Sequence, residues 1–214
     1  MSVLSPYYEH AGITIYHGDC RTILPQLPEV GLVLTDPPYG ILTKGSSATR
    51  RSSGGTGAMA WDIAPSQDVC EYLLSLSPCM IWGRLHLPLP PTYGYLVWDK
   101  MIDGLNFGEC EVCWTTFRWS PRIFRYRAVN VDGGKVHPTQ KPEAMMKWCI
   151  GFASDTAGTI LDPFAGSGTT LRAAKDLGRK AIGIEIEEAY CEIAANRCQQ
   201  EVLFPAHPGE VIDE

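Results

Sequence analysis

Asp162-Pro-Phe-Ala-Gly-Ser-Gly-Thr-Thr170 follows the short apolar run 159–161 and opens a stretch, 169–177, with helical spacing. A strand that turns through glycines into a helix is the building unit of an α/β sheet. Gly166 and Gly168 let the backbone turn tightly and approach a ligand. The new helix presents unpaired N–H groups at its start. A second apolar run, AIGIE at 181–185, ends in Glu185, an acid suited to the two hydroxyls of a ribose. Leu171 stands where a dinucleotide fingerprint has its third glycine, and no lysine follows as in a phosphate-binding P-loop. The pattern therefore suits an adenosine-type ligand, while a tight structural turn between strand and helix would use the same residues.

Outward from this turn, strand-like runs recur at 13–16, 32–35, 79–82, 95–98 and 111–117. Helical patterns lie between and after them at 66–76, 142–153 (with Pro142 at its start), 169–177 and 187–200. This alternation predicts an α/β fold with a largely parallel sheet. The 214 residues suit one domain, 1–214, with a core over about 13–200. The segment 45–57, GSSATRRSSGGTG, has nothing to bury and predicts a mobile loop; the tail 204–214 is expected to be loose.

Composition narrows the function classes. Hydrophobic residues make up 45% and charged residues 20%, which excludes a disordered chain. No apolar run approaches the roughly 18 residues of a membrane span, and MSVLSPYYEHAG lacks the pattern of a secretory signal, so a cytoplasmic location with no membrane partner is expected. The eight cysteines sit mostly in apolar runs and read as reduced core thiols. Cys110-x-x-Cys113 has no second ligand pair, so no metal is expected. The net charge of −6 is uneven: residues 185–214 hold eight acids and one base, and the remainder has 17 bases against 16 acids. Residues 112–131 carry Arg118, Arg122, Arg125 and Arg127 and no acid, a local patch that keeps nucleic acid open as a partner.

A second motif, Asp36-Pro-Pro-Tyr-Gly40, follows the apolar run LVLT at 32–35. The two prolines stiffen the backbone at a strand's C-terminal end, the edge where open α/β sheets bind ligands. An NH₂ group could give one hydrogen to the Asp36 carboxylate and one to a backbone carbonyl, with Tyr39 stacked on the ring that bears it. A proline turn with a capping Asp is the plainer alternative.

Together, DPPY and FAGSG resemble the amino-methyltransferases of DNA, which move a methyl group from S-adenosylmethionine to an exocyclic nitrogen. His137-Pro-Thr-Gln-Lys-Pro142, Gly18-Asp19-Cys20 and Trp98-Asp99-Lys100 extend the resemblance to nearly the whole chain. The catalytic motif precedes the cofactor turn, the order of the permuted β-type. The resemblance implies a single-domain, Rossmann-like, S-adenosylmethionine-dependent methyltransferase sheet, mostly parallel and circularly permuted, with the catalytic half first. It implies that Asp36, Pro37, Pro38 and Tyr39 hold a target base flipped from double-stranded DNA. It implies that Asp19, Cys20, Gln140, Lys141, Asp162, Pro163, Phe164, Gly166, Ser167, Gly168, Thr169 and Glu185 hold the cofactor. Lys44, Arg50 and Arg51 beside the catalytic strand, and Arg118, Arg122 and Arg125 among aromatic residues, are candidate DNA contacts; for the second group an edge strand with a solvated face is the alternative.

DPPY is commoner among adenine-N6 enzymes and SPPY among cytosine-N4 enzymes, so adenine is the first expectation and cytosine the second. An amide-nitrogen or RNA methyltransferase and a catalytically idle DNA-binding module are the other readings. The short stretch 101–136 leaves little for sequence recognition, which implies a very short site or a homodimer. A bacterial or phage restriction-modification setting follows from the family alone.

Overall fold

The computed structural model describes residues 4–41, 62–76, 78–102, 108–127, 140–153 and 158–201. Within them the strands are β1 (Tyr8–His10), β2 (Ile13–His17), β3 (Leu32–Thr35), β4 (Cys79–Trp82), β5 (Gly94–Asp99), β6 (Cys110–Thr115), β7 (Arg122–Arg125), β8 (Ile160–Asp162) and β9 (Ala181–Glu185). The helices are α1 (Cys20–Ile23), α2 (Gln67–Leu76), α3 (Glu143–Ile150), α4 (Thr169–Asp176) and α5 (Glu188–Gln199).

The described strands form one sheet in the order β1-β2-β9-β8-β3-β4-β6-β5-β7. β2, β9, β8, β3 and β4 run parallel; β1 and β6 are antiparallel to their neighbours, and β7 is parallel to β5. The central strands β3, β4, β8 and β9 are buried along their whole length, as strands covered on both faces must be. One face packs Ile13, Leu32, Leu34, Met80 and Trp82 against α3, α4 and α5; the other packs Val33, Cys79, Ile81 and Ile184 against α1 and α2. The α/β, mostly parallel sheet expected from the sequence is present.

One strand, β1, escapes the sequence reading, and β7 answers only to its edge-strand alternative for the arginine stretch. Tyr8-Glu9-His10 is three residues long and largely exposed. Arg122-Ile-Phe-Arg125 lies at the sheet's end, mostly exposed, so its pattern lacks an apolar run. Two elements also end sooner than expected: β6 stops at Thr115 and α3 at Ile150. The predicted loop 45–57, the tail 204–214, Lys44, Arg50, Arg51 and His137 lie outside the described residues.

None of the eight cysteines is in a disulfide, and seven are buried. Burial pushes the Cys20 and Cys198 thiols up to about 11 and Cys191 to about 12, so they stay protonated at neutral pH. Cys110 and Cys113 lie three positions apart on β6, on opposite faces, so they cannot chelate one ion together. No described helix is long and apolar enough to cross a membrane.

Candidate active site

Because the five central strands run parallel, their C-terminal ends share one edge. That edge gathers Asp19 after β2, Glu185 at the end of β9, Asp162 at the end of β8, Asp36 after β3 and Gly83 after β4. β6 runs the other way, so its first residues, Cys110 and Glu111, arrive at this same edge.

The two motifs meet at the seam between β3 and β8. Thr35 Oγ1 donates to Asp162 Oδ1 at 2.6 Å, and the Phe164 N–H donates to the same oxygen at 3.2 Å. Thr35 and Asp162 are both buried. Burial pushes the Asp162 carboxyl up to about 6; hydrogen bonds from Thr35 and Phe164 oppose that shift, and the Asp36 charge adds to it.

The turn after β8 is held from two sides. Above it, Glu185 accepts the Gly166 N–H at 2.7 Å on Oε2 and the Glu187 N–H at 2.8 Å on Oε1. Burial raises the Glu185 carboxyl, and these backbone donors work against the rise. Below it, Arg197 of α5 donates to the Ser167 carbonyl at 2.9 Å and Thr169 Oγ1 at 3.3 Å, and pairs with Glu143 of α3. The two glycines do different work. Gly166 (φ +51°) has open space where a Cβ would sit. Gly168 (φ +79°) lies against α5, where a Cβ would come 2.7 Å from Ala194 Cβ. Helix packing therefore requires a glycine at this position.

The DPPY segment is more heavily engaged than expected. Tyr39 Oη donates to Asp36 Oδ1, and Lys141 Nζ donates to Asp36 Oδ2. Lys141 also pairs with Glu111 Oε2 at 3.0 Å, and Lys100 pairs with Glu111 Oε1 at 2.8 Å. The Tyr39 ring stacks on His86, with centroids 5.1 Å apart and planes 24° from parallel. Gly83 makes room for it, since a Cβ there would overlap the ring. Pro37 is buried beneath Asp36, and Pro38 is half-buried.

Several of the residues expected to hold the cofactor have partners within the chain. Lys141, expected on the cofactor side, turns its ammonium to Asp36 and Glu111. Asp19 is the N-cap of α1: the Arg21 N–H donates to its Oδ1 at 2.9 Å, and the Arg21 guanidinium holds its carboxyl below the usual range. Cys20 is a buried thiol of the core. Gln140, Pro163, Ser167 and Thr169 are buried at the edge, and Phe164 packs half-buried on the α1–α2 side.

Part of the aromatic–arginine stretch, Arg122–Arg125, is the edge strand β7. Phe117, Trp119, Phe124 and Tyr126 pack on the core with Trp148 and Phe152. Arg118 lies 4.8 Å over the Tyr93 ring, Arg122 lies 5.2 Å over Phe152, and Arg125 pairs with Asp99 at 3.5 Å. His86 and Glu111 carried no motif. Glu111 shares a face of β6 with the buried Cys113 and Thr115, but the buried Trp114 on the other face leaves no alternation in the sequence to mark it.

Residues 97–196 match the DNA methylase family of N6/N4 methyltransferases. The chain is 27% identical over 245 aligned residues to the type II methyltransferase M.HinfI of Haemophilus influenzae, covering 87% of this chain and 68% of that protein. Among solved structures, the M1.HpyAVI–SAM complex is similar at 22% identity with a TM-score of 0.54, over 88% of this chain and all of that one. The PvuII cytosine-N4-specific DNA methyltransferase is similar at 16% identity with a TM-score of 0.63, over 93% of this chain and 90% of that one. With both motifs joined on one sheet edge, the chain is similar over most of its length to N6-adenine/N4-cytosine DNA methyltransferases.

Proposed function

We propose that the protein methylates the exocyclic N6 amine of adenine in double-stranded DNA, using S-adenosylmethionine. The observation that carries this reading is the Thr35–Asp162 hydrogen bond of 2.6 Å, which sets the amine-holding carboxylate of Asp36 beside the glycine turn on the neighbouring strand. The turn fits the cofactor: Gly166 leaves open space, and the Glu185 carboxylate sits at the end of the next strand in line. A similar structure was solved with SAM bound. When bound, the cofactor supplies an electrophilic methyl group on a sulfonium.

The chain's own residues do the rest. The Asp36 carboxylate and the Pro37 carbonyl accept the two amine hydrogens, which turns the nitrogen lone pair toward the methyl group. To do so, Asp36 exchanges the Tyr39 hydroxyl for the incoming N–H. The Tyr39 ring stacks on the flipped base, and the Asp36 charge offsets the positive charge that grows on nitrogen. Lys44, Arg50, Arg51 and the edge arginines Arg118, Arg122 and Arg125 are the candidates for phosphate contacts. The catalytic strand preceding the cofactor turn fits a permuted methyltransferase sheet.

The test is methyl transfer to unmodified duplex DNA, followed by mass spectrometry of the digested nucleosides. N6-methyladenine is the expected product. N4-methylcytosine would keep the chemistry and change the base. Cofactor binding with no modified base would direct the search to RNA or protein amides, and absence of both would leave an idle module.

A further inference from the structure

Four charges of alternating sign lead inward to the DPPY carboxylate. Lys100 follows β5, Glu111 belongs to β6, Lys141 precedes α3, and Asp36 follows β3. Their side chains are 15%, 24%, 4% and 17% exposed. Each member touches the next: Lys100 to Glu111 at 2.8 Å, Glu111 to Lys141 at 3.0 Å, and Lys141 to Asp36 in a charge-assisted hydrogen bond. The backbone fixes the outer end, because Lys100 N–H donates to the Glu109 carbonyl at 2.9 Å and Trp98 faces Glu111 across the β5–β6 ladder. The chain of four is neutral as a whole, which offsets much of the cost of burying each charge.

We propose that Glu111 and Lys100 are positioning residues which, through Lys141, set the orientation and charge of the Asp36 carboxylate. Lys141 fixes one oxygen, Oδ2, from the buried side, and leaves Oδ1 with the Tyr39 hydroxyl, the donor that an incoming amine replaces. Glu111 shares the Lys141 charge with Asp36, and Lys100 in turn shares the Glu111 charge with Lys141.

The groups facing Asp36 come from every side of it: Lys141 from the segment before α3, Glu111 and the Cys113 thiol from β6, Asp162 from β8, and Tyr39 from its own turn. Burial pushes the Asp36 carboxyl up, Lys141 pulls it down, and Glu111 pushes it up again. Glu111 resists its own burial because Lys141 and Lys100 hold it down at about 2.

Removing successive members should therefore move Asp36 in alternating directions. Lys141→Gln should raise its pKa, Glu111→Gln should lower it, and Lys100→Gln should raise it by less. Shifts of about one unit are expected for the two inner members. A structural defect alone has no reason to alternate in sign.

The inference gives Asp36 its meaning through the methyl-transfer reading, so two readouts are needed. The first is the carbon-13 titration of the Asp36 side-chain carboxyl in full-length protein carrying labelled aspartate, assigned by its loss in Asp36→Asn; it requires no turnover. The second is the pH profile of single-turnover methyl transfer to unmodified duplex DNA, whose acid limb should follow the same alternation. Alternating shifts in the titration support the proposal even if wild-type protein methylates nothing, a result that would unseat the methyl-transfer reading alone. Shifts of one sign, or none, overturn it. If Lys141→Gln does not fold, Glu111→Gln and Lys100→Gln still give the opposed pair.

Discussion

Thr35 and Asp162 come from neighbouring strands 127 positions apart, and the hydroxyl of one donates to the carboxylate of the other at 2.6 Å. This bond joins the two motifs at the centre of the sheet, where burying a carboxyl has a cost. Burial raises the Asp162 carboxyl to about 6, above its ordinary value near 3.9. Between those values the folded protein holds a proton that the unfolded chain has released, so stability falls as pH rises. The difference in unfolding free energy between wild type and Asp162→Asn should shift against wild type from about pH 4 to pH 6, by roughly 2–3 kcal/mol. Urea titrations across that range measure it, and a flat difference would contradict the assignment.

Asp36→Ala should cut methyl transfer by about a thousandfold or more, because it removes both the amine's acceptor and the charge that offsets the growing cation. S-adenosylmethionine affinity, followed by calorimetry, should stay within about twofold, since the cofactor turn is built on β8 and β9. A variant that transfers at the wild-type rate would remove Asp36 from the site.

Glu185→Ala should weaken cofactor binding by at least about tenfold, or about 1.4 kcal/mol. It strips the acceptor from two backbone donors, Gly166 N–H and Glu187 N–H, so a lower melting temperature should accompany it. An unchanged dissociation constant would end the ribose role proposed for this carboxylate.

The two turn glycines should separate stability from binding. Gly168→Ala forces a Cβ into Ala194 at a positive φ and should cost about 2–4 kcal/mol of stability. Gly166→Ala meets open space, so its cost should stay near 1 kcal/mol, while its new methyl group intrudes on the cofactor. Calorimetric binding alongside thermal melts distinguishes them; equal losses in both properties would refute the division of roles.

What the sequence discloses depends on how much a residue's neighbours in the chain determine its setting. β3, β4 and β9 read at their observed bounds because strands covered on both faces must be continuous apolar runs. β7 was legible only as an alternative, because an edge strand keeps its arginines in solvent and satisfies no burial pattern. Asp36, Asp162 and Glu185 were legible because each ends such an apolar run. The place of Lys141 was not, since it depends on β6 running antiparallel and delivering Glu111 to the same edge. That pairing is a long-range event with no local trace. His86 hid for the same reason: only the turn after β4 brings its ring onto Tyr39.

The strand order also bears on how the chain acquires its structure. β8 and β9 insert between β2 and β3, so each of these early strands, though paired on its other side with β1 or β4, lacks its inner neighbour until residues 160–185 exist. Emerging from a ribosome, the amino-terminal half carries fully apolar strands whose central neighbours have not yet been synthesised. Its sheet centre must close late, through contacts of high sequence separation, which makes folding slow and leaves nascent or truncated chains prone to aggregate.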